Sequence, residues 1–318
     1  MLESIGLFVL GLVLLALGGD SIVKGASGLA QRVGASPFVA GLLLVAVGTS
    51  LPELAVNLHA IATGQQALAL GNAVGSNIVN FGLTLGAAAL AAPLLVRWRA
   101  LNPLLLALIV GTLATIVLGL DGVLSRVEGI GLLLAYVVVL AYAIVLTRRE
   151  APALHASISD YARTSTDLVQ NLLRFVIAAV VLYFGSKLVV ESAPVFGAGL
   201  GLTPLLTGLL PVAIGTALPE AAAAVMAARR GQGDVVVGHV IGSSLFNLLV
   251  VVGGMATFAG ALPLPASFIR FELPAAIVFA VMLVPMLKGD LRISRGEGGV
   301  LVLAFAGWIA LELLFLHG

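Results

Sequence analysis

Residues Gly48-Thr49-Ser50-Leu51-Pro52-Glu53 read GTSLPE, and Gly215-Thr216-Ala217-Leu218-Pro219-Glu220 read GTALPE. Each block interrupts a long apolar run with a helix-breaking proline and an ionisable glutamate. The chain of 318 residues is 60% hydrophobic and only 10% charged, against roughly 25% charged residues in a soluble domain. Apolar runs of about 20 residues recur from end to end, the length that spans a bilayer as a helix. The two blocks therefore lie inside membrane helices. The reading decides the fold because it also exposes a duplication. Shifted by 167 positions, residues 48–80 fall on 215–247 without a gap, and thirteen of the 33 pairs are identical.

The register extends in both directions. Gly18 meets Gly185, Gly34 meets Gly201, Pro37 meets Pro204 and Gly41 meets Gly208. Downstream it slips by two, so that Ser125-Arg126-Val127-Glu128-Gly129 meets Ser294-Arg295-Gly296-Glu297-Gly298. The punctuation by Gly, Pro and charged residues predicts helices at 3–32, 36–63, 67–92, 101–120, 126–147, 169–200, 203–229, 234–260, 270–288 and 296–316. Each half holds five. An odd number makes the second half enter the membrane from the opposite side. The expected fold is an all-α polytopic membrane protein of ten transmembrane helices in two inverted five-helix repeats, the plan of many secondary transporters. The expected units are 1–147, a linker at 148–168, and 169–318.

Orientation follows from the basic residues of the connections. Twelve collect on one side: Arg32, Arg97, Arg99, Arg148, Arg149, Arg163, Arg174, Arg229, Arg230, Lys288, Arg292 and Arg295. Arg126 and Arg270 alone fall on the other. The linker is then cytoplasmic and both termini lie outside. The first apolar run, from Ile5 to Leu17, follows Glu3 with no basic stretch before it, so it reads as half of a membrane helix, not a cleaved leader. The chain has no cysteine, which excludes disulfides and thiolate metal sites, and no basic cluster for nucleic acid.

The chemistry concentrates in the duplicated blocks. Proline lacks an N–H and clashes with the carbonyl four residues back, at Gly48 or Gly215, which costs about 3 kcal/mol or more in a helix interior. Broken backbone survives at membrane depth only where it lines a protein cavity. Glu53 and Glu220 cost about 2.5–3.5 kcal/mol each at a helix centre on insertion scales. Thr49 lies four residues before Glu53, and Thr216 four before Glu220, so each pair shares a helix face. A pair of proline kinks with protonated glutamates would not need the same six residues at mirror-related places. In the following helices GNAVGSNIVN (71–80) meets GHVIGSSLFN (238–247). Gly71 and Gly75, like Gly238 and Gly242, allow close helix packing. Ser76 and Asn80 share one face, as do Ser243 and Asn247. Carboxylates, hydroxyls, amides and bent backbone are all oxygen donors, and the guest they suit is a hard cation: calcium, sodium, or a proton on the glutamates.

At these residues the chain resembles the cation/calcium exchanger superfamily, in particular prokaryotic sodium/calcium exchangers. GTSLPE…GNAVGSNIVN and GTALPE…GHVIGSSLFN are similar to the two alpha-repeats of that family, and the helix count and inversion match over nearly the whole chain. The resemblance implies a membrane antiporter that exports calcium against sodium by alternating access, with no cofactor beyond the transported ions. It implies Glu53 and Glu220 as calcium ligands. It also implies ligation at Thr49, Ser50, Ser76, Thr216 and Ser243, and carbonyl ligation at Ala46 and Ala213. Asn80 and Asn247 complete the candidate set. The first and sixth helices are the implied sliding gate. In departure from the family pattern, Ala217 replaces the serine expected after Thr216 and His239 stands where Asn is usual. Asn247 stands where potassium-dependent relatives carry Asp. Asp20/Lys24 and Lys187/Glu191 read as structural ion pairs on the gate helices. The alternative within the superfamily is proton/calcium exchange. An intramembrane aspartyl protease would want catalytic aspartates, one of them in a YD setting; the chain has no YD and its paired intramembrane acids are glutamates, and an inverted repeat suits alternating access better than a passive channel.

Overall fold

The computed structural model describes residues 2–34, 50–97, 99, 101–147, 159 and 163–315. Ten helices are seen in chain order: α1 (Leu2–Arg32), α2 (Leu51–Ala62), α3 (Gln66–Ala91), α4 (Leu101–Asp121), α5 (Arg126–Thr147), α6 (Leu168–Gly199), α7 (Pro204–Arg229), α8 (Gly233–Ala259), α9 (Phe268–Lys288) and α10 (Arg295–Phe315). Among the described residues nine are long and apolar enough to cross a membrane; α2 contributes 12 residues, because the start of the expected 36–63 helix lies outside them. Glycine, proline and arginine set these ends, and, the start of α2 apart, they fall within two residues of the sequence expectation.

Burial sorts the helices into a centre and a rim. In α3 and α8, 83% and 94% of the most apolar window is buried, against 17% in α5 and 28% in α1 and α10. The rim turns large apolar side chains outward, among them Val117, Leu134 and Leu303. Such a surface is stable against lipid and not against water. The chain is a membrane protein.

Four short strands tie the halves together: β1 (Leu94–Leu95), β2 (Val123–Ser125), β3 (Ala261–Pro263) and β4 (Arg292–Ile293). β1 pairs antiparallel with β4, and β2 with β3. These pairings reveal the inversion. β1 and β2 lie at opposite ends of α4, whose 21 residues span about 31 Å at 1.5 Å per residue. β3 pairs with β2, so it lies at the far end from β1. Yet β1 and β3 occupy equivalent places in the two repeats. Equivalent segments therefore sit on opposite faces.

Local details repeat as well. Ser125 and Glu128 form a reciprocal capping box at the start of α5, and Ser294 and Glu297 form its copy at α10. Gly64 and Gly231 each make the tight turn into a central helix at positive φ, +77° and +74°, a conformation that glycine adopts without a Cβ clash.

Two close approaches build the core around the centre. A Cβ on Gly11 would sit 2.9 Å from the Gly185 carbonyl, and one on Gly185 would sit 3.0 Å from the Gly11 carbonyl, so α1 and α6 touch backbone to backbone. The second approach brings α3 onto α7: Gly71 abuts the Leu205 carbonyl and Gly75 the Leu209 carbonyl, while Gly208 abuts the Leu68 carbonyl. This is the role the 71/75 spacing predicts.

Candidate cation site

The candidate residues come from four elements. Ser50 and Glu53 flank Pro52 in the first described turn of α2. Thr216 and Glu220 lie in α7 around the interior Pro219. A second proline, Pro211, falls in a π-helical turn, Gly208–Val212, that precedes this segment. Ser76 and Asn80 are on α3, Ser243 and Asn247 on α8. Both central helices widen into a π-helical turn at that level, Asn80–Leu85 and Phe246–Val252. π-Turns are frequent at functional sites because they redirect side chains and carbonyls.

The structure brings these side chains together. Ser50 Oγ lies 2.6 Å from Ser243 Oγ, although 193 residues separate them. Asn80 Nδ2 donates to Ser243 Oγ at 3.2 Å. Glu53 is within electrostatic reach of Glu220 and beside the Thr216 side chain. The Thr216 hydroxyl directs its proton back along the helix, to the carbonyls of Val212 and Ala213 at 3.1 and 3.2 Å. Its lone pairs are thereby left for another partner, and the Ala213 carbonyl is held at the same level. Thr49 and Ala46 lie outside the described residues.

The arrangement leaves buried polar atoms without partners, Asn247 Nδ2 among them. Glu53 Oε2, Glu220 Oε1, Ser76 Oγ, Asn80 Oδ1 and Asn247 Oδ1 are buried and accept no hydrogen bond. Buried acceptors are nearly always satisfied, and a buried carboxylate is costly without a counter-charge. Five unsatisfied oxygens from the candidate set, two of them from carboxylates, fit a hard cation, which needs acceptors and no donors.

Three features escaped the sequence reading. His239 Nε2 lies 3.3 Å from Glu220 Oε2. The repeat explains why: the counterpart of His239, Asn72, donates to Asn57 Oδ1 at 3.0 Å, but the counterpart of Asn57 is Ala224, which offers nothing to bond. Asn77 Nδ2 bonds the Ser244 carbonyl at 3.1 Å, across the offset of 167 residues, and joins the central helices. Glu272 and Glu312 are fully buried between α9 and α10, within electrostatic reach of one another and with the Trp308 indole beside Glu312. Their signal in the sequence was a single acid in each of the last two apolar runs.

Comparison with known proteins gives consistent results. The profile of the family described as sodium/calcium exchanger protein matches residues 3–145 and 171–314, one stretch in each repeat. The chain is 35% identical over 319 residues to the inner membrane protein YrbG of Escherichia coli (strain K12), covering 98% of this chain and 97% of that one. It is 29% identical over 338 residues to the sodium/calcium exchanger MaX1 of Methanosarcina acetivorans, covering 95% and 96%. Among solved structures it is similar to the sodium-calcium exchanger NCX_Mj soaked with sodium and strontium. There the TM-score is 0.68 and the identity 28%, over 97% of this chain and 98% of that one.

Proposed function

The chain belongs to the sodium/calcium exchanger protein family, and on that premise we propose that it exchanges calcium for sodium across a cell membrane by alternating access, exporting calcium. The observation that carries the reading is the cluster of unsatisfied acceptors around Glu53 and Glu220. Two carboxylates balance the two charges of calcium. Hydroxyl and amide oxygens of Ser50, Thr216, Ser76, Ser243, Asn80 and Asn247 bring the donor count into the range of about 6–8 that calcium takes; Thr49 and the carbonyls of Ala46 and Ala213 belong to the same proposed set. Sodium, smaller in charge and also oxygen-seeking, would use parts of that set after calcium leaves.

Alternating access needs an element that uncovers the site from one face at a time. The pair α1 and α6 suits this role. Small residues line their contact, with Gly11 against Gly185 and Gly18 against Leu182, and α1 lies across the site: a Cβ on Gly19 would meet the Pro52 ring, and one on Gly215 would meet Leu12. We assign the face that bears Arg32, Arg229 and the 148–168 linker to the cytoplasm, with both termini outside, on the twelve-to-two count of basic residues. The cell or inner membrane is the proposed location, in line with the name of the 35% identical relative.

Counterflow of labelled calcium against a sodium gradient in proteoliposomes tests the reading. Calcium uptake that follows sodium loading supports it, and uptake indifferent to sodium overturns it. One observation favours a second reading, proton/calcium exchange: His239 sets a second proton-carrying group against Glu220. Calcium uptake driven by an imposed pH gradient without sodium would select that reading.

A further inference from the structure

A cavity of about 280 Å³ leads from α1 to Glu220, and Asp20 stands in its wall. Ala16 and Val23 flank Asp20 along α1, and Pro219 and Ala223 face it from α7. The cavity extends from Glu220 toward the ends of α1 and α7 that carry Arg32 and Arg229. Asp20 is the one acid in its wall besides Glu220. Its carboxylate pairs with Lys24 at 2.7 Å, with both side chains more than half exposed. Such an exposed i,i+4 pair is weak and easily exchanged, so the carboxylate stays available to a passing cation.

The repeat places no such group on the opposite route. The position equivalent to Asp20 is Lys187, and the equivalent of Lys24 is Glu191, so the sign order is reversed. The two alanines in the cavity wall are also replaced. Tyr183 stands for Ala16 and packs its ring on His59 with centroids 6.0 Å apart. Val56 stands for Ala223 and is fully buried, as is Val190, the equivalent of Val23. Pro52 is buried where Pro219 is exposed. A fold that is symmetric in its backbone therefore carries opposite charge at equivalent positions of α1 and α6.

We infer that Asp20 is a cation-staging residue for one face of the carrier: it concentrates cations in the Arg32-side cavity and hands them to Glu220, while Lys187 makes the opposite approach repel them. The inference rests on the cation-exchange reading for what is carried, but its charge argument stands on the cavity alone. A site lined by one sign of charge and walled by low-dielectric groups raises the local concentration of counter-ions.

The chain has no cysteine, so a single Val23→Cys substitution reports on the cavity. Its reactivity is measured with a cationic and an anionic methanethiosulfonate of similar size, applied from the Arg32 face. The cationic reagent is expected to react faster, and Asp20→Asn in the same background should lower that preference about fivefold, less at high salt. In parallel, calcium uptake by Asp20→Asn is measured from each face in right-side-out and everted vesicles. The expected result is an apparent KM raised about fivefold at the Arg32 face, unchanged at the other, with the maximal rate kept. A reagent preference that survives Asp20→Asn, or a KM shift equal at both faces, overturns the inference. If the parent chain carries no calcium, the exchange reading fails and the labelling arm still decides the role of Asp20.

Discussion

Replacing Glu220 by glutamine keeps the shape of the side chain and one acceptor oxygen, and removes one charge. In the proposed site calcium then faces Glu53 alone, and the loaded site carries one uncompensated positive charge inside the membrane. On insertion scales one charge at that depth costs about 2.5–3.5 kcal/mol. At 1.36 kcal/mol per factor of ten, calcium affinity should fall about 100-fold. Glu53 is the more deeply buried of the two, 1% against 8% exposed, so Glu53→Gln should lose at least as much.

Binding of that strength is visible as thermal stabilisation of purified protein, independent of transport. A ligand at 100 times its Kd stabilises the folded state by about 2.7 kcal/mol; if Kd rises 100-fold the same concentration supplies about 0.4 kcal/mol. Calcium should therefore raise the melting temperature of the parent protein by several degrees and that of Glu220→Gln by almost nothing, while the two apo proteins melt close together. A variant that keeps both its calcium-induced shift and its calcium exchange would refute the assignment of the carboxylates as ligands.

Other expectations concern the scaffold and the coupling ions. Gly75→Val should abolish folded protein in detergent size-exclusion, because a Cβ there meets the Leu209 carbonyl at 2.5 Å and overpacking against backbone costs about 1–3 kcal/mol or more; Gly131→Ala, with open space around it, should fold normally. Potassium should be neither required nor driving in sodium-loaded vesicles, since Asn247 offers a neutral oxygen where an acid would add charge. Glu272→Gln and Glu312→Gln should leave the KM for calcium within about twofold and should not lower the melting temperature, because each removes a buried carboxyl with no basic partner among the described residues. A tenfold rise in KM would instead place that pair in the transport machinery.

The fold was legible to the extent that its signals are local. Apolar length, Gly and Pro punctuation and the 167-residue offset depend on neighbours in sequence, and the helices end where those signals place them. The positions of Glu53, Glu220, Ser50, Ser243 and Asn80 were legible because membrane burial makes polar residues conspicuous. What the sequence hid is set in three dimensions. The π-turns at Asn80–Leu85 and Phe246–Val252 use the same residue types as an α-helix. The two short strand pairs join segments 136 to 140 and 197 to 199 residues apart, which no local pattern encodes. The contact of His239 with Glu220 depends on the absence of a partner at Ala224, a coincidence of two substitutions in different helices.

The residues that remain identical between the repeats and those that diverge divide the work differently. Thr, Pro and Glu of the motif recur in both halves, as do the packing glycines and the Ser and Asn of the central helices. They make up the proposed site, which in the exchange reading serves both faces alike. The divergent positions, Asp20 against Lys187, Ala16 against Tyr183 and Asn72 against His239, lie along the approaches or around one carboxylate only. Such differences cannot set the direction of net exchange. A carrier that returns unchanged to its starting state leaves the equilibrium to the gradients of the ions and to the membrane potential, worth about 2.3 kcal/mol per elementary charge per 100 mV. What asymmetric approaches can change is the concentration at which each face saturates and how fast it fills. An acid on the Arg32 side lowers the calcium level at which that face captures its ion. A lysine on the other side shortens the ion's stay there. A carrier that collects calcium from a dilute compartment and releases it into a concentrated one needs both, and a duplicated chain can acquire them without disturbing the shared site.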